Sequence, residues 1–243
     1  MIPILDLIAL VWFLVCWIGY SEYSRRKAHV RPCLSNTLDL YCRDWMRGML
    51  LRGNRIADTS VVGNLERNGA FFASSCLLIL AGLLTAMGYT QEIMEVFGTL
   101  PFASSSSRIV WEIRLLVLML VFVYAFFKFT WSMRMYNFAA VMVGGAPLSD
   151  DNKVSPAARE AFAQSSANVC SLAGDAFNLG LRSYYYALGI VTWFVHPVLF
   201  IFASSFVVFV LYRREFHSDA LVALRSGKVF EEPATRQDEK AEA

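Results

Sequence analysis

The stretch Ile109–Val143, IVWEIRLLVLMLVFVYAFFKFTWSMRMYNFAAVMV, decides the fold class. It runs without proline or glycine until Gly144-Gly145 and Pro147 stop it, so it reads as one continuous helix. At 1.5 Å per residue such a helix is roughly 52 Å long, well beyond a hydrocarbon core of about 30 Å. Part of it must therefore project into water, tilt strongly or pack against protein. An apolar, aromatic-rich block of this length belongs to a membrane helix, and the span within it is placed near 109–130.

Three further blocks have the same character. Residues 2–20 are apolar with one acid, Asp6, and lack both a basic leading region and a small-x-small cleavage site, so a retained helix is expected rather than a cleaved signal. Residues 69–88, bounded by glycines, carry no charge. Residues 184–212 form the fourth block, with Pro197 inside it as an expected kink. The whole chain of 243 residues is 56% hydrophobic, with a mean hydropathy of +0.45. That is too apolar for an ordinary soluble domain. The expectation is an all-α polytopic membrane bundle of four long helices over residues 1–216, followed by a polar, disordered tail at 217–243.

Lys and Arg positions predict orientation. The connection from 21 to 68 holds Arg25, Arg26, Lys27, Arg31, Arg43, Arg47, Arg52, Arg55 and Arg67, whereas that from 89 to 108 holds Arg108 beside Glu92 and Glu95. The first connection is expected in the cytoplasm, the second outside, and the N-terminus outside, in a bacterial-type inner membrane. The C-terminus conflicts with this. Four spans that start outside end outside, yet Arg213 and Arg214 follow the last block directly. A fifth crossing over Ala161–Leu181 resolves the conflict but carries Gln164, Asn168, Asp175 and Asn178, a heavy polar load for lipid. Both topologies stay open.

The first connection contains an amphipathic helix. Ser35 and Asn36 are expected caps, with Asp39 in the capping-box position, and Leu38, Tyr41, Trp45 and Met49 recur on one face. It lies either at the headgroups or against neighbouring cytoplasmic helices.

The stretches NRIADTSVVGNLERNGAFFASSCLLILAGLL, WEIRLLVLMLVFVYAFFKFTWSMRMYNFAAVMVGGAP and FNLGLRSYYYALGIVTWF, with the closing VLYRREF, resemble the membrane family known as domain of unknown function 599. FVYAFFKFTWSMRMYN is the most specific run. The resemblance covers the chain from the first block to about Phe216 and implies an integral membrane protein of about four spans. It implies no reaction, ligand or partner.

Six polar positions are the candidate functional residues: Lys128, Arg134, Asp175, Asn178, Arg182 and His196. Lys128 and Arg134 sit in the long aromatic helix, where a cation near mid-membrane costs about 3 kcal/mol unless paired or hydrated. Lys128 falls about 29 Å from Ile109, near the cytoplasmic boundary. Both cations either snorkel to headgroups or pair with Asp58, Glu66 or Asp175. Gln164, Asn168, Ser171, Asp175, Asn178 and Arg182 follow helical spacing and form one stripe, on a helix otherwise crowded with Ala, Ser and Gly. The stripe is a solvated face or a polar seam. His196, before Pro197, is expected to bond backbone freed by the kink. Gly69/Ala73 and Gly82/Ala86 are small-residue pairs of the kind that let helices approach.

No catalytic, cofactor-binding or metal-binding pattern occurs, and the five dispersed cysteines make no ligand spacing. Haem ligation by His196 lacks a second histidine within the spans. The net charge of +2 points away from nucleic acid. The lipid bilayer is the expected partner, with a membrane protein or a second copy beside it. Two functions remain: a non-enzymatic accessory or assembly component, or a small oligomeric transporter or channel using the polar seam.

Overall fold

The computed structural model describes residues 3–28, 31–98, 107–150 and 153–227. Among these the chain is helical throughout, with α1 (Ile4–Ala28), α2 (Leu34–Leu51), α3 (Ile56–Gly88), α4 (Thr90–Gly98), α5 (Arg108–Gly144), α6 (Pro156–Val191), a 3-10 turn at Thr192–Phe194, α7 (Pro197–Phe216) and α8 (Asp219–Ser226). Helices α1, α3, α5 and the region of α7 are the 4 that are long and apolar enough to cross a membrane. The protein is therefore an α-helical transmembrane bundle.

Contacts along the helices show how the chain passes from one end of the bundle to the other. Helices α3 and α5 run antiparallel: Glu66 accepts a hydrogen bond from Asn137 at one end, and Phe72 stacks on Phe129 further along. Helix α6 runs antiparallel to α5, because Ser132 donates to the Ala173 carbonyl at 2.7 Å, Phe122 meets Tyr184 and Trp111 meets Phe194. Helix α1 lies parallel to α7, with Phe13 against Phe200 and Tyr23 against Tyr212. Four apolar helices plus α6 thus make five passes. The end of α7 lies beside α2, where Glu215 accepts from the Ser35 amide at 3.2 Å and Tyr41 donates to the Leu224 carbonyl at 2.7 Å. The arginines Arg213 and Arg214 consequently share an end with the basic first connection.

The fourth expected span is not one kinked helix. Residues 184–212 divide into the end of α6 and the start of α7, which run in opposite directions. Proline lacks an amide hydrogen and forces the residue before it to extend. His196 accordingly has φ −158° and ψ 135°, and Pro197 begins a new helix instead of bending the old one.

The bundle has two cores. The larger gathers α1, α3, α5, α6 and α7 around Phe13, Phe122, Phe129, Tyr186, Ile190, Trp193 and Phe200. The smaller, at the α2 end, gathers Met46, Met49, Leu50, Val62, Met135, Ala139, Val143, Ala163, Ala167 and Ala173. Helix α5 has 37 residues because it serves both cores. Its end is held by Arg55, whose guanidinium donates to the carbonyls of Ala146 at 2.7 Å and Pro147 at 2.6 Å, satisfying acceptors a helix terminus leaves open.

Two local expectations, the start of α2 and the tail, need correction, and the open choice for the face of α2 falls to packing on its neighbours. Helix α2 starts two to three residues earlier than its polar pair suggests: Cys33 is the N-cap and Ser35 and Asn36 lie inside the first turn. Its apolar side is buried against α6 and the smaller core through Met46, Met49 and Leu50, while Leu38 stays exposed. Protein packing has thus taken the face that suited the headgroups. The segment after residue 217 begins with α8, capped by Ser218 accepting from the Leu221 amide at 3.2 Å. Residues 228–243 of the expected disordered tail lie outside the described residues.

Close packing of α5 on α6 rests on the small residues of α6. A Cβ at Gly180 would sit 2.6 Å from the Phe129 ring. Phe129 is fully buried and stacked on Phe72, so it has nowhere to retreat. Gly180→Ala is expected to lower stability by about 1–3 kcal/mol through overpacking. At Gly82 nothing among the described residues lies within 4 Å of the corresponding Cβ, so Gly82→Ala is expected to be neutral or slightly stabilising. Thermal unfolding in detergent compares them directly.

Labelling with an impermeant thiol reagent checks the five-pass path. A cysteine at Ser226 and one at Asn54 are expected to react from the same side of the membrane, and one at Glu92 from the other. The hydrogen bond with Cys170 holds the Cys42 thiol below the usual thiol range, and burial pushes the Cys33 thiol up. A Cys42→Ser background therefore gives the cleaner readout.

Candidate functional site

At the end opposite α2, the first apolar helix carries Asp6 and the long helix carries Arg114. Both are inside the bundle, 4% and 0% exposed. Arg114 Nη2 donates to Asp6 Oδ1 at 2.7 Å and its Nε donates to the same oxygen at 3.3 Å. Trp193 Nε1 donates to that oxygen at 2.8 Å, and the guanidinium lies 5.6 Å from the Trp193 ring centroid. Three helical elements distant in sequence are joined at one carboxylate. Around it, Phe13, Tyr186, Trp193 and Phe200 make an aromatic layer, with Trp193 stacked on Phe200 at 4.7 Å. All four rings are buried.

The α2 end is open. There Trp17 of α1 and Tyr124 of α5, whose rings meet at 5.4 Å, both face a cavity. This cavity, of about 740 Å³, lies between α1, α2, α5 and α6. Lys128, Asp175, Asn178 and Arg182 line it together, and so do Glu22, Arg25, Ser35, Asn36, Asp39 and Glu215. Its inner wall is apolar, built from Leu14, Trp17, Ile18, Tyr124 and Leu179.

Four of the six sequence-derived positions therefore meet in one place. Lys128 is half-buried, lies 5.3 Å from the Tyr124 ring centroid and has no carboxylate within 4.0 Å among the described residues. Asp175 accepts a hydrogen bond from Ser35 Oγ at 3.0 Å and likewise has no cation within that distance. Arg182 donates to Ser24 Oγ at 3.1 Å and pairs with Glu215 at 3.4 Å. The stripe on α6 divides: Gln164 donates to Asn168 at 2.7 Å near the start of the helix, while its second half turns into the cavity.

Two positions lie elsewhere. Arg134 is exposed, with its guanidinium 5.3 Å from the Phe138 ring centroid. His196 caps α7, its Nδ1 accepting from the Val198 amide at 3.1 Å, the backbone role expected of it. The ion pairs considered for Lys128 and Arg134 are absent among the described residues. Asp58 is instead buried against Arg52 and accepts from Trp45 Nε1 at 2.7 Å, and Glu66 accepts from Asn137. Of the small-residue pairs, Gly69 and Ala73 are buried, Gly69 against α5, and Gly82 faces outward.

Sequence reasoning passed over Arg114 and the cavity carboxylates Glu22, Asp39 and Glu215. One signal was available. Asp6 is a lone acid in an apolar block and needs a buried partner, and Arg114 is the first cation inside the block that begins at Ile109.

Fold and cavity together define a polytopic α-helical membrane protein with a charged cavity at one end and a buried ion pair at the other. Within that class the chain belongs to the family described as Protein of unknown function, DUF599, whose model matches residues 8–220. No curated protein and no solved structure matches it.

Breaking the buried pair from one side leaves a lone charge in the core. Arg114→Leu and Asp6→Leu are each expected to cost about 3–5 kcal/mol. The double substitution Asp6→Leu with Arg114→Leu should cost less than the two single effects added together. Thermal melting of the four proteins in one detergent gives the cycle, and single variants that melt like the parent would refute the assignment.

Proposed function

We propose that this protein is a non-enzymatic carrier of the inner membrane, with the cavity at the α2 end as its binding site. The observation that supports the reading is the meeting of Lys128, Asp175, Asn178 and Arg182 in one cavity. Charged side chains without ion-pair partners that are gathered in one cavity suit water or a polar ligand rather than hydrocarbon. The Lys and Arg distribution supports a cytoplasmic position for the α2 end. The cavity is then open inward, and the aromatic layer with Asp6, Arg114 and Trp193 closes the outer path. A carrier works by exchanging which side is closed, and rocking of one helix group against another is the usual means. Helix α1 suits this role, because it packs along α7 and reaches α5 through side chains at Asp6–Arg114 and Trp17–Tyr124.

A second reading, an accessory component assembled with another membrane protein or with its own copies, is favoured by one surface. On α3, Phe71, Leu77, Leu78 and Leu84 face outward, and among the described residues nothing packs on Gly82. Purification from native membranes with a stoichiometric partner would favour this reading.

The carrier reading is tested without knowing the ligand. Asn178→Cys in membrane vesicles is expected to react with an impermeant thiol reagent from the α2 side. Weakening the outer closure with Trp193→Phe, or more strongly with Asp6→Asn, should raise labelling from the opposite side several-fold. Absence of opposite-side labelling in all three backgrounds would overturn the carrier reading.

A further inference from the structure

Resting on that reading of the cavity as a binding site, we propose that its ligand is a phospholipid whose headgroup carries both a phosphate and a primary amine. It enters sideways from the bilayer between α1 and α5.

The wall of the cavity continues onto the outer surface of the bundle. Leu14 and Ile18 line it and are also 41% and 66% exposed, on the face of α1 that meets hydrocarbon. A molecule in the bilayer therefore reaches the cavity without crossing water. Along α1 the lining changes from Leu14, Trp17 and Ile18 to Ser21, Glu22 and Arg25. At 1.5 Å per residue that gradient spans about 16 Å. It matches an amphiphile with its chains at the apolar end and its headgroup at the charged end. Lys128 lies about 29 Å along α5 from Ile109, which is headgroup depth for a helix that starts at the opposite boundary.

The charges select the headgroup. Arg182 is matched by Glu215, and Glu22 is matched by Arg25 and by Arg26, the latter at 2.7 Å. Among the described residues, Lys128, Asp39 and Asp175 have no ion-pair partner within 4.0 Å. One cation and two carboxylates without partners complement a phosphate and an ammonium together. Carboxylates with free lone pairs hydrogen-bond a primary ammonium, whereas a trimethylammonium offers them no donor and is recognised by aromatic faces instead. An anionic headgroup without an amine would meet Asp39 and Asp175 as like charges.

The test uses the full chain, stripped of lipid in detergent and offered equal amounts of phosphatidylethanolamine, phosphatidylglycerol and phosphatidylcholine. Retained lipid is read by native mass spectrometry, and the thermal midpoint of each sample is read alongside. The amine-bearing lipid is expected to be retained about tenfold over the other two, a difference of roughly 1.4 kcal/mol. Lys128→Gln should reduce retention of the phosphate-bearing lipids generally. Asp39→Asn with Asp175→Asn should abolish the preference for the amine while leaving lipid retained. Arg134→Gln, a lipid-facing cation outside the cavity, should change nothing. None of these side chains holds an ion pair among the described residues, and the thermal midpoint separates loss of the fold from loss of lipid selectivity. Equal retention of the three lipids, a preference for phosphatidylglycerol, or an unchanged pattern in Lys128→Gln would each overturn the proposal. Selective retention without the access change at Asn178 overturns the carrier reading and leaves the lipid site standing. The access change without lipid selectivity does the reverse.

Discussion

One carboxylate, that of Asp6, fixes how the first helix joins the rest of the bundle. In a membrane the hydrophobic effect gives a helix little reason to prefer protein over lipid, since hydrocarbon tails are as apolar as leucine. Helix α1 exposes Leu7, Ile8, Val11 and Val15 and would be comfortable alone in the bilayer. Its position comes from the donors that converge on Asp6, the guanidinium of Arg114 and the indole of Trp193. Burying that acid and that cation separately would cost several kcal/mol each, so they are stable in the core as a pair with a third donor present. The same contact brings α5 and the turn before α7 together at one end of the molecule.

The opposite end depends on packing of a different kind. There α2 and the ends of α3, α5 and α6 enclose a core of methionine, valine and alanine, beyond the length a bilayer needs. Small residues on α6 let α5 approach until Ser132 reaches a backbone carbonyl of its neighbour. The charged cavity sits between these two regimes, among α1, α2, α5 and α6. Its walls are apolar toward the bilayer interior and ionised toward the end of the bundle, as the change of surroundings at a membrane boundary demands.

Much of this was legible from residues alone. Long apolar blocks marked the helices, Gly144-Gly145 and Pro147 marked the end of α5, and the helical spacing of the α6 stripe was real. The break at Pro197 was seen as a kink, because proline states that a helix is interrupted and not whether the chain bends or reverses. The status of α6 was undecidable for a related reason. Its composition is too polar for a helix facing lipid on all sides, and it lies among the other helices with its small residues buried against α5.

The sequence by itself determined that this is an α-helical membrane protein, where its apolar helices lie, and which polar residues are costly enough to need a reason. These properties depend on length, hydropathy and local spacing, which are one-dimensional. The tertiary structure alone decided that Asp6 meets Arg114 and Trp193, that Lys128 shares a cavity with Asp175, Asn178 and Arg182, and that Arg134 and His196 do not. Those partnerships join side chains up to 187 positions apart in the chain. Their formation depends on the order and direction in which helices pack, and the energetic pattern of any single helix does not record it.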